Sequence, residues 1–139
     1  MQEKSAGAIV FRMDGEQILY LLLKYGAGHW DCVKGHVEPD EEEEETVLRE
    51  AEEEAGLRDL ELVPGFRERI NYEFVREKDK VSKEVAFYIG HTKTSEIKLS
   101  VEHSDYKWLP YPQALKLLTF KTGKDLLKQA DMFLKGRLA

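Results

Sequence analysis

The chain has 139 residues, a formal net charge of −6 and an apolar fraction of 42%. That length suits one domain with a buried core, which we expect to span residues 1–139, and the apolar fraction is typical of a globular rather than a disordered chain. The negative charge disfavours long nucleic acids, whose phosphates require a basic surface. Cys32 is the sole cysteine, which excludes an intramolecular disulfide, and no apolar run approaches about 18 residues. We therefore expect a cytoplasmic protein with no membrane partner, a monomer rather than an oligomer.

The first third of the sequence predicts strands separated by tight turns. Residues 4–11 and 17–24 are apolar and rich in β-forming side chains, and Asp14-Gly15 between them is typical of a hairpin turn. The loop at Gly26-Ala27-Gly28 precedes a short predicted strand over residues 30–33. These features indicate the beginning of a β-sheet.

A helix is predicted next. Asp40 with Glu43 has the spacing of a capping box, so we expect these residues to begin the helix. The helix is expected to run to Ala55, and Gly56 is well placed to end it in the left-handed conformation.

The rest of the chain alternates between strand and helix patterns. Strands are predicted within residues 60–76, 81–92 and 101–109, and Tyr111-Pro112 opens a short helix. The last helix has an apolar stripe at helical spacing, formed by Leu126, Leu127, Ala130, Phe133 and Leu134. Strands with helices at two points predict an α/β (α+β) fold, an α/β/α sandwich around a mixed β-sheet.

The first helix concentrates carboxylates. Successive helical residues advance by about 100°, so Glu50, Glu53 and Glu54 share one arc. The adjoining arc is apolar and is expected to be buried, with Val47, Leu48, Ala51 and Ala55 on it. Clustered oxygen ligands suit Mg²⁺, for which Mn²⁺ can substitute. The competing interpretation, which applies best to residues 42–45, is a solvated acidic face.

The spacing of several residues resembles the Nudix box. The matching residues are Gly35, Glu41, Arg49, Glu50, Glu53, Glu54 and Gly56. The resemblance implies a Nudix-type sandwich and a pyrophosphohydrolase. It also implies that Glu50, Glu53, Glu54 and the Lys34 carbonyl bind the metal. Glu41 and Arg49 would brace the loop onto the helix, and the general base would be Glu54 or Glu102, the latter as a distal metal ligand or base.

Segments outside the box resemble the asymmetrical diadenosine tetraphosphate hydrolases. The similar segments are His29-Trp30, Lys34-Gly35-His36-Val37-Glu38-Pro39, residues 66–72, and Glu102-His103 with the following Tyr106-Lys107-Trp108-Leu109. The chain departs from that family at Cys32-Val33, where the family has Pro-Pro.

This second resemblance implies a substrate. Lys34, His36, Lys83 and His29 would contact the small-molecule substrate, and Phe87 and Phe120 would stack on adenine. The implied reaction is Mg²⁺-dependent cleavage of diadenosine tetraphosphate to ATP and AMP. Three alternatives remain: a broader nucleoside or inositol diphosphate hydrolase, an RNA 5′-pyrophosphohydrolase, and a non-catalytic nucleotide-binding module.

Overall fold

A computed structural model describes residues 2–138 of the chain. The strands are β1 (Gln2–Asp14), β2 (Gln17–Tyr25), β3 (Trp30–Asp31), β4 (Val33–His36), β5 (Glu61–Leu62), β6 (Glu68–Arg76), β7 (Asp79–His91) and β8 (His103–Leu109). The helices are α1 (Glu43–Ala55), α2 (Tyr111–Leu117) and α3 (Lys121–Leu138). The predicted strand at residues 30–33 is divided between β3 and β4.

Within the described residues the strands form one eight-stranded mixed sheet. The path is β3-β2-β1-β7-β5, and β4, β6 and β8 pair with β1, β7 and β2 respectively. The pairing of β1 with β7 is parallel, and the other pairings are antiparallel. Gly15 at φ 62° forms the turn between β1 and β2, which confirms the predicted hairpin.

Helices cover both faces of the sheet, which confirms the predicted sandwich. On one face, Val47, Ala51 and Ala55 of α1 pack against the central strands. On the other face, α2 and α3 cover a second apolar cluster, to which Leu126 and Leu134 belong. Central strands covered on both faces must be apolar on both, which accounts for their nearly continuous apolar sequence.

The start of α1 differs from the prediction, whereas its end agrees with it. The helix begins after Glu42, whose backbone N–H donates to Glu45 Oε1 over 2.9 Å, so the capping box is Glu42 with Glu45 rather than Asp40 with Glu43. Gly56 ends the helix at φ 71°, as predicted. Leu48 is 42% exposed, so the apolar arc is narrower than expected. No helix within residues 2–138 combines the length and apolar character needed to cross a bilayer.

Candidate active site

A pocket of about 520 Å³ opens where β4 crosses α1. Its walls come from β1, β2, β4, α1, β7 and the loop before β8, and it is lined by Ser5, Tyr25, Lys34, Gly35, His36, Glu38, Arg49, Glu50, Glu53, Glu54, Lys83, Ser100, Val101 and Glu102. The structure therefore brings together every predicted metal ligand and the predicted phosphate contacts Lys34, His36 and Lys83. The pocket combines carboxylates with cationic groups, an arrangement that suits a metal ion with a polyphosphate.

The backbone of β4 lies directly against the carboxylates of α1. A Cβ atom on Gly35 would overlap the Glu50 carboxylate, so only glycine permits this approach. The Lys34 backbone N–H donates to Glu54 Oε1 over 3.2 Å. Residues 34 and 35 thus touch two of the carboxylates predicted to bind metal.

Arg49 links the loop before α1 to the helix. Its Nε lies 2.6 Å from Glu41 Oε2 and its Nη2 lies 2.9 Å from Glu41 Oε1, and Nη2 also donates to the His36 carbonyl over 3.0 Å. Hydrogen bonding to this guanidinium lowers the pKa of Glu41 to about 2. The predicted brace between Glu41 and Arg49 is therefore formed as a bidentate ion pair.

The same guanidinium also holds two of the predicted metal ligands. Its Nη1 lies 2.7 Å from Glu50 Oε1 and 3.2 Å from Glu53 Oε2. The described residues contain no group of three His, Cys, Asp or Glu side chains arranged to hold a metal ion. The expected ligand set is thus gathered around one pocket but is not preassembled around one point, because Arg49 draws Glu50 and Glu53 toward itself.

The electrostatics of the pocket favour a cation. Burial raises the pKa of Glu54 to about 8, and the charges of Glu50 and Glu102 act in the same direction, whereas the Lys34 N–H opposes them. Burial also raises the pKa of Glu50, against the influence of Arg49. Because these carboxylates repel one another in a partly buried site, the donor set and the close backbone at Gly35 fit a divalent ion with oxygen ligands.

The basic residues have different surroundings. Lys34 is half-buried, and its Nζ lies 2.7 Å from Oδ2 of the buried Asp31. Lys83 lies on β7 and His36 ends β4, and both line the pocket. Three groups able to meet phosphate oxygens therefore lie around the same pocket as the carboxylates of α1.

An aromatic row runs outward from the pocket. Tyr25 lines the pocket and stacks on His29, with ring centroids 4.8 Å apart and planes inclined by 8°. His29 in turn meets Phe120 at 5.3 Å, and Phe120 is 49% exposed. The loop that carries Phe120 is fixed to the start of β3 by two hydrogen bonds between Thr119 and Trp30. Phe120 and His29 are therefore placed to meet a base.

The burial of Phe87 does not favour its predicted contact with adenine. It is 5% exposed and packs in the apolar cluster beneath α3. Alternation along β7 turns Phe87 toward α3, whereas Ala86 and Tyr88 face α1. With 5% of its surface exposed, Phe87 offers little open ring face to a base in this structure, and its role as an adenine contact stays a prediction.

Two residues of the site were missed by sequence analysis. Tyr25 follows the strand predicted over residues 17–24 and received no assignment, but it forms a pocket wall, and burial raises the pKa of its hydroxyl. His103 was noted only as part of a sequence resemblance, yet it is 6% exposed and its Nε2 lies 3.8 Å from Glu54 Oε2. Neither has a periodic signal, because their positions depend on strand pairing.

Comparisons with known proteins show the family of this chain. The chain is 38% identical to the asymmetrical bis(5′-nucleosyl)-tetraphosphatases of Mus musculus and Sus scrofa, covering 96% of this chain and 97% of each relative. A solved C. elegans Ap4A hydrolase binary complex superposes with a TM-score of 0.81 at 28% identity, over 96% of this chain and 98% of that one. The NUDIX domain model matches residues 1–130, the span that holds β4, α1 and their facing carboxylates, and the chain belongs to the NUDIX family.

Proposed function

We propose that this protein hydrolyses diadenosine tetraphosphate asymmetrically, releasing ATP and AMP, with Mg²⁺ as its cofactor and Mn²⁺ as a substitute. The observation that carries the proposal is the pocket itself. Carboxylates of α1 and Glu102 face Lys34 and Lys83 across about 520 Å³, a size suited to a metal ion with part of a polyphosphate chain. Nearly full-length similarity to proteins named for this activity supports the choice of substrate.

A divalent ion would be held by Glu50, Glu53, Glu54 and the Lys34 carbonyl, with Glu102 from the loop before β8. When bound, such an ion neutralises phosphate oxygens and lowers the pKa of water at the site. Glu50 and Glu53 are engaged by Arg49 in this structure, so a bound ion would compete for part of that contact. Arg49 also makes two bonds to Glu41, which hold the loop before α1 on the helix.

The chain's own residues bind and orient the polyphosphate. Lys34, Lys83 and His36 supply cationic or hydrogen-bonding groups to its oxygens. Water attacks the phosphorus next to one adenosine, a new P–O bond forms, and the bond from that phosphorus to the bridging oxygen breaks. ATP leaves with the bridging oxygen, and a carboxylate, Glu54 or Glu102, takes the proton from water.

The nucleosides have an aromatic platform on one side of the pocket. Phe120 offers an exposed ring face, and His29 continues the platform toward Tyr25. Stacking against such faces is tolerant of base identity and is worth about 1–3 kcal/mol per base. Recognition of an adenine by Phe120 therefore does not depend on Phe87.

We also propose an oligomeric state and a cellular location for the protein. The proposed state is a single-domain monomer in the cytoplasm. Cys32, the sole cysteine in the sequence, is free and buried, so the chain forms no intramolecular disulfide that would point to an oxidising compartment.

One experiment separates this function from its alternatives. Purified protein with Mg²⁺ is assayed against diadenosine tetraphosphate, ADP-ribose, nucleoside triphosphates, diphosphoinositol phosphates and 5′-triphosphorylated RNA. The proposal expects the highest kcat/KM for diadenosine tetraphosphate. A higher value for another compound identifies a broader or RNA-directed hydrolase, and binding without turnover identifies a non-catalytic module.

A further inference from the structure

His103 is buried beside the carboxylates with one ring nitrogen unpaired. The residue begins β8, its side chain is fully shielded from solvent, and its Nε2 makes no hydrogen bond within the described part of the chain. The carboxylate oxygen facing it is Oε2 of Glu54, 3.8 Å away. A buried polar group is normally paired, so an unpaired one at this place indicates a partner that it meets during function.

Hydrogen bonding on the other side of the ring fixes its tautomer. His103 Nδ1 lies 2.9 Å from Ser100 Oγ, which also accepts the Glu102 backbone N–H over 3.3 Å. The Glu102 N–H occupies one of the two acceptor lone pairs of Ser100, and the hydroxyl proton of Ser100 is available to donate to Nδ1. In that arrangement Nδ1 is the acceptor and Nε2 carries the hydrogen, so the ring presents an N–H toward Glu54.

The two oxygens of Glu54 face different donors. Oε1 accepts the Lys34 backbone N–H over 3.2 Å, and Oε2 faces His103. The loop that carries His103 is fixed to the end of α1, since the Ser100 N–H donates to the Glu54 carbonyl over 3.2 Å. One donor for each oxygen would set the plane of the carboxylate.

Tyr25 does not compete for this position. Its ring meets His103 edge-on, with centroids 4.4 Å apart, but its hydroxyl donates to the Cys32 carbonyl over 2.7 Å. Tyr25 therefore forms a wall that keeps the imidazole in place.

We propose that His103 is a positioning residue that donates its Nε2–H to the Glu54 carboxylate, and that Ser100 selects the tautomer that makes this possible. The inference rests on the proposed hydrolase function and adds a link between the loop that carries Glu102 and the end of α1. Through Ser100, the position of Glu102 and the orientation of Glu54 are coupled. His103 acts through Glu54 and does not itself contact the substrate.

The tautomer is tested without metal or substrate. In ¹⁵N-labelled protein, nitrogen NMR should show a protonated Nε2 and an unprotonated Nδ1 for His103. Ser100→Ala should convert this single form into a mixture of tautomers. A parent ring protonated only at Nδ1 would overturn the proposal, and this result does not depend on which substrate the enzyme prefers.

Two substitutions at His103 separate positioning from packing. His103→Gln keeps an amide donor near the place of Nε2, whereas His103→Asn keeps only a group near Nδ1 that can contact Ser100. We expect His103→Asn to lower kcat by about 10- to 100-fold, as for other residues that orient a metal ligand, with KM within about twofold. His103→Gln should recover most of the loss.

The matched control is His91→Asn, at a histidine that packs on Phe11 outside the pocket, and it should leave kcat unchanged. Equal kcat losses in His103→Asn and His103→Gln, with equal melting temperatures, would assign His103 to packing alone. Unchanged kcat in His103→Asn would also overturn the proposal. Failure of the parent to turn over diadenosine tetraphosphate would instead reject the proposed function and leave the NMR result to decide the role of His103.

Discussion

The Arg49 guanidinium donates two hydrogen bonds to the Glu41 carboxylate, from Nε to Oε2 over 2.6 Å and from Nη2 to Oε1 over 2.9 Å. This fork joins the loop before α1 to the helix that carries the carboxylates proposed to bind metal. An ammonium cannot reproduce the two parallel bonds. We expect Arg49→Lys to lower kcat by about 10- to 100-fold with little change in secondary structure, because the ligands lose their orientation. Steady-state kinetics and circular dichroism check this.

The control for that substitution is Arg58→Lys, at an exposed arginine whose ion pair with Glu52 measures 3.3 Å. It should leave kcat unchanged. Normal turnover in Arg49→Lys would mean that the fork does not orient the site.

We expect the pocket carboxylates to lower the stability of the metal-free protein and to be needed for metal binding. Glu54→Gln and Glu53→Gln should each lower turnover by orders of magnitude, because each removes an ionised ligand. Without metal, Glu54→Gln should melt at a higher temperature than the parent, since it removes a carboxyl group whose pKa is raised above its unfolded value by burial and by Glu50 and Glu102. Calorimetry with and without Mg²⁺ measures both effects. Near-normal turnover in both variants contradicts the proposed metal site.

A cluster of ion pairs around Glu43, outside the pocket, predicts that the stability of the protein depends on pH. Glu43 lies 2.7 Å from Arg67, 2.9 Å from Lys4 and 2.6 Å from the Tyr88 hydroxyl. The hydrogen bond from Arg67 is the main cause that lowers the pKa of Glu43 from 4.5 to about 2. The contribution of Glu43 to the free energy of unfolding is therefore complete above pH 4.5 and is lost as the pH falls toward 2.

Denaturant unfolding of the metal-free protein at about pH 6 and about pH 3 measures this loss. Glu43→Gln should be destabilised at the higher pH and should approach the parent at the lower pH. Glu61→Gln, at an exposed position of β5, is the control. A constant difference between Glu43→Gln and the parent at both pH values would show that packing, not ionisation, carries the contribution.

Phe87 and Phe120 were both expected to stack on adenine, but substitutions at the two positions should have different effects. Phe120→Leu removes an exposed ring face, so KM for diadenosine tetraphosphate should rise by about 5- to 150-fold with the melting temperature nearly unchanged. Phe87→Leu repacks the core beneath α3, so it should lower the melting temperature and leave KM alone. The opposite pattern would return Phe87 to the substrate site.

The contrast between Phe87 and Phe120 shows what a strand sequence can reveal. The apolar run of β7 predicted a strand correctly, but both faces of that strand are covered, by α1 and by α3. A strand apolar on both faces carries no sign of which side meets the ligand. In contrast, the helical period placed Glu50, Glu53 and Glu54 on one arc, and that arc does line the pocket.

The sequence was less informative about residues whose positions depend on contacts between segments that are distant in the chain. His103 and Ser100 reach Glu54 only because their loop is hydrogen-bonded to the end of α1. The start of α1 was misplaced because several acidic residues could cap it, and hydrogen bonding between Glu42 and Glu45 decided the outcome. Short-range spacing therefore predicted that Glu50, Glu53 and Glu54 share one side of α1, whereas the residues that contact them could be identified only from the fold.

The asymmetry of the reaction is the central claim, and it is tested most directly by hydrolysis in ¹⁸O-labelled water. Diadenosine tetraphosphate is incubated with the protein and Mg²⁺, and the products are analysed by mass spectrometry. We expect equal amounts of ATP and AMP, with the label in AMP, because water attacks the phosphorus next to one adenosine. Two molecules of ADP, or label found mainly in ATP, would contradict it.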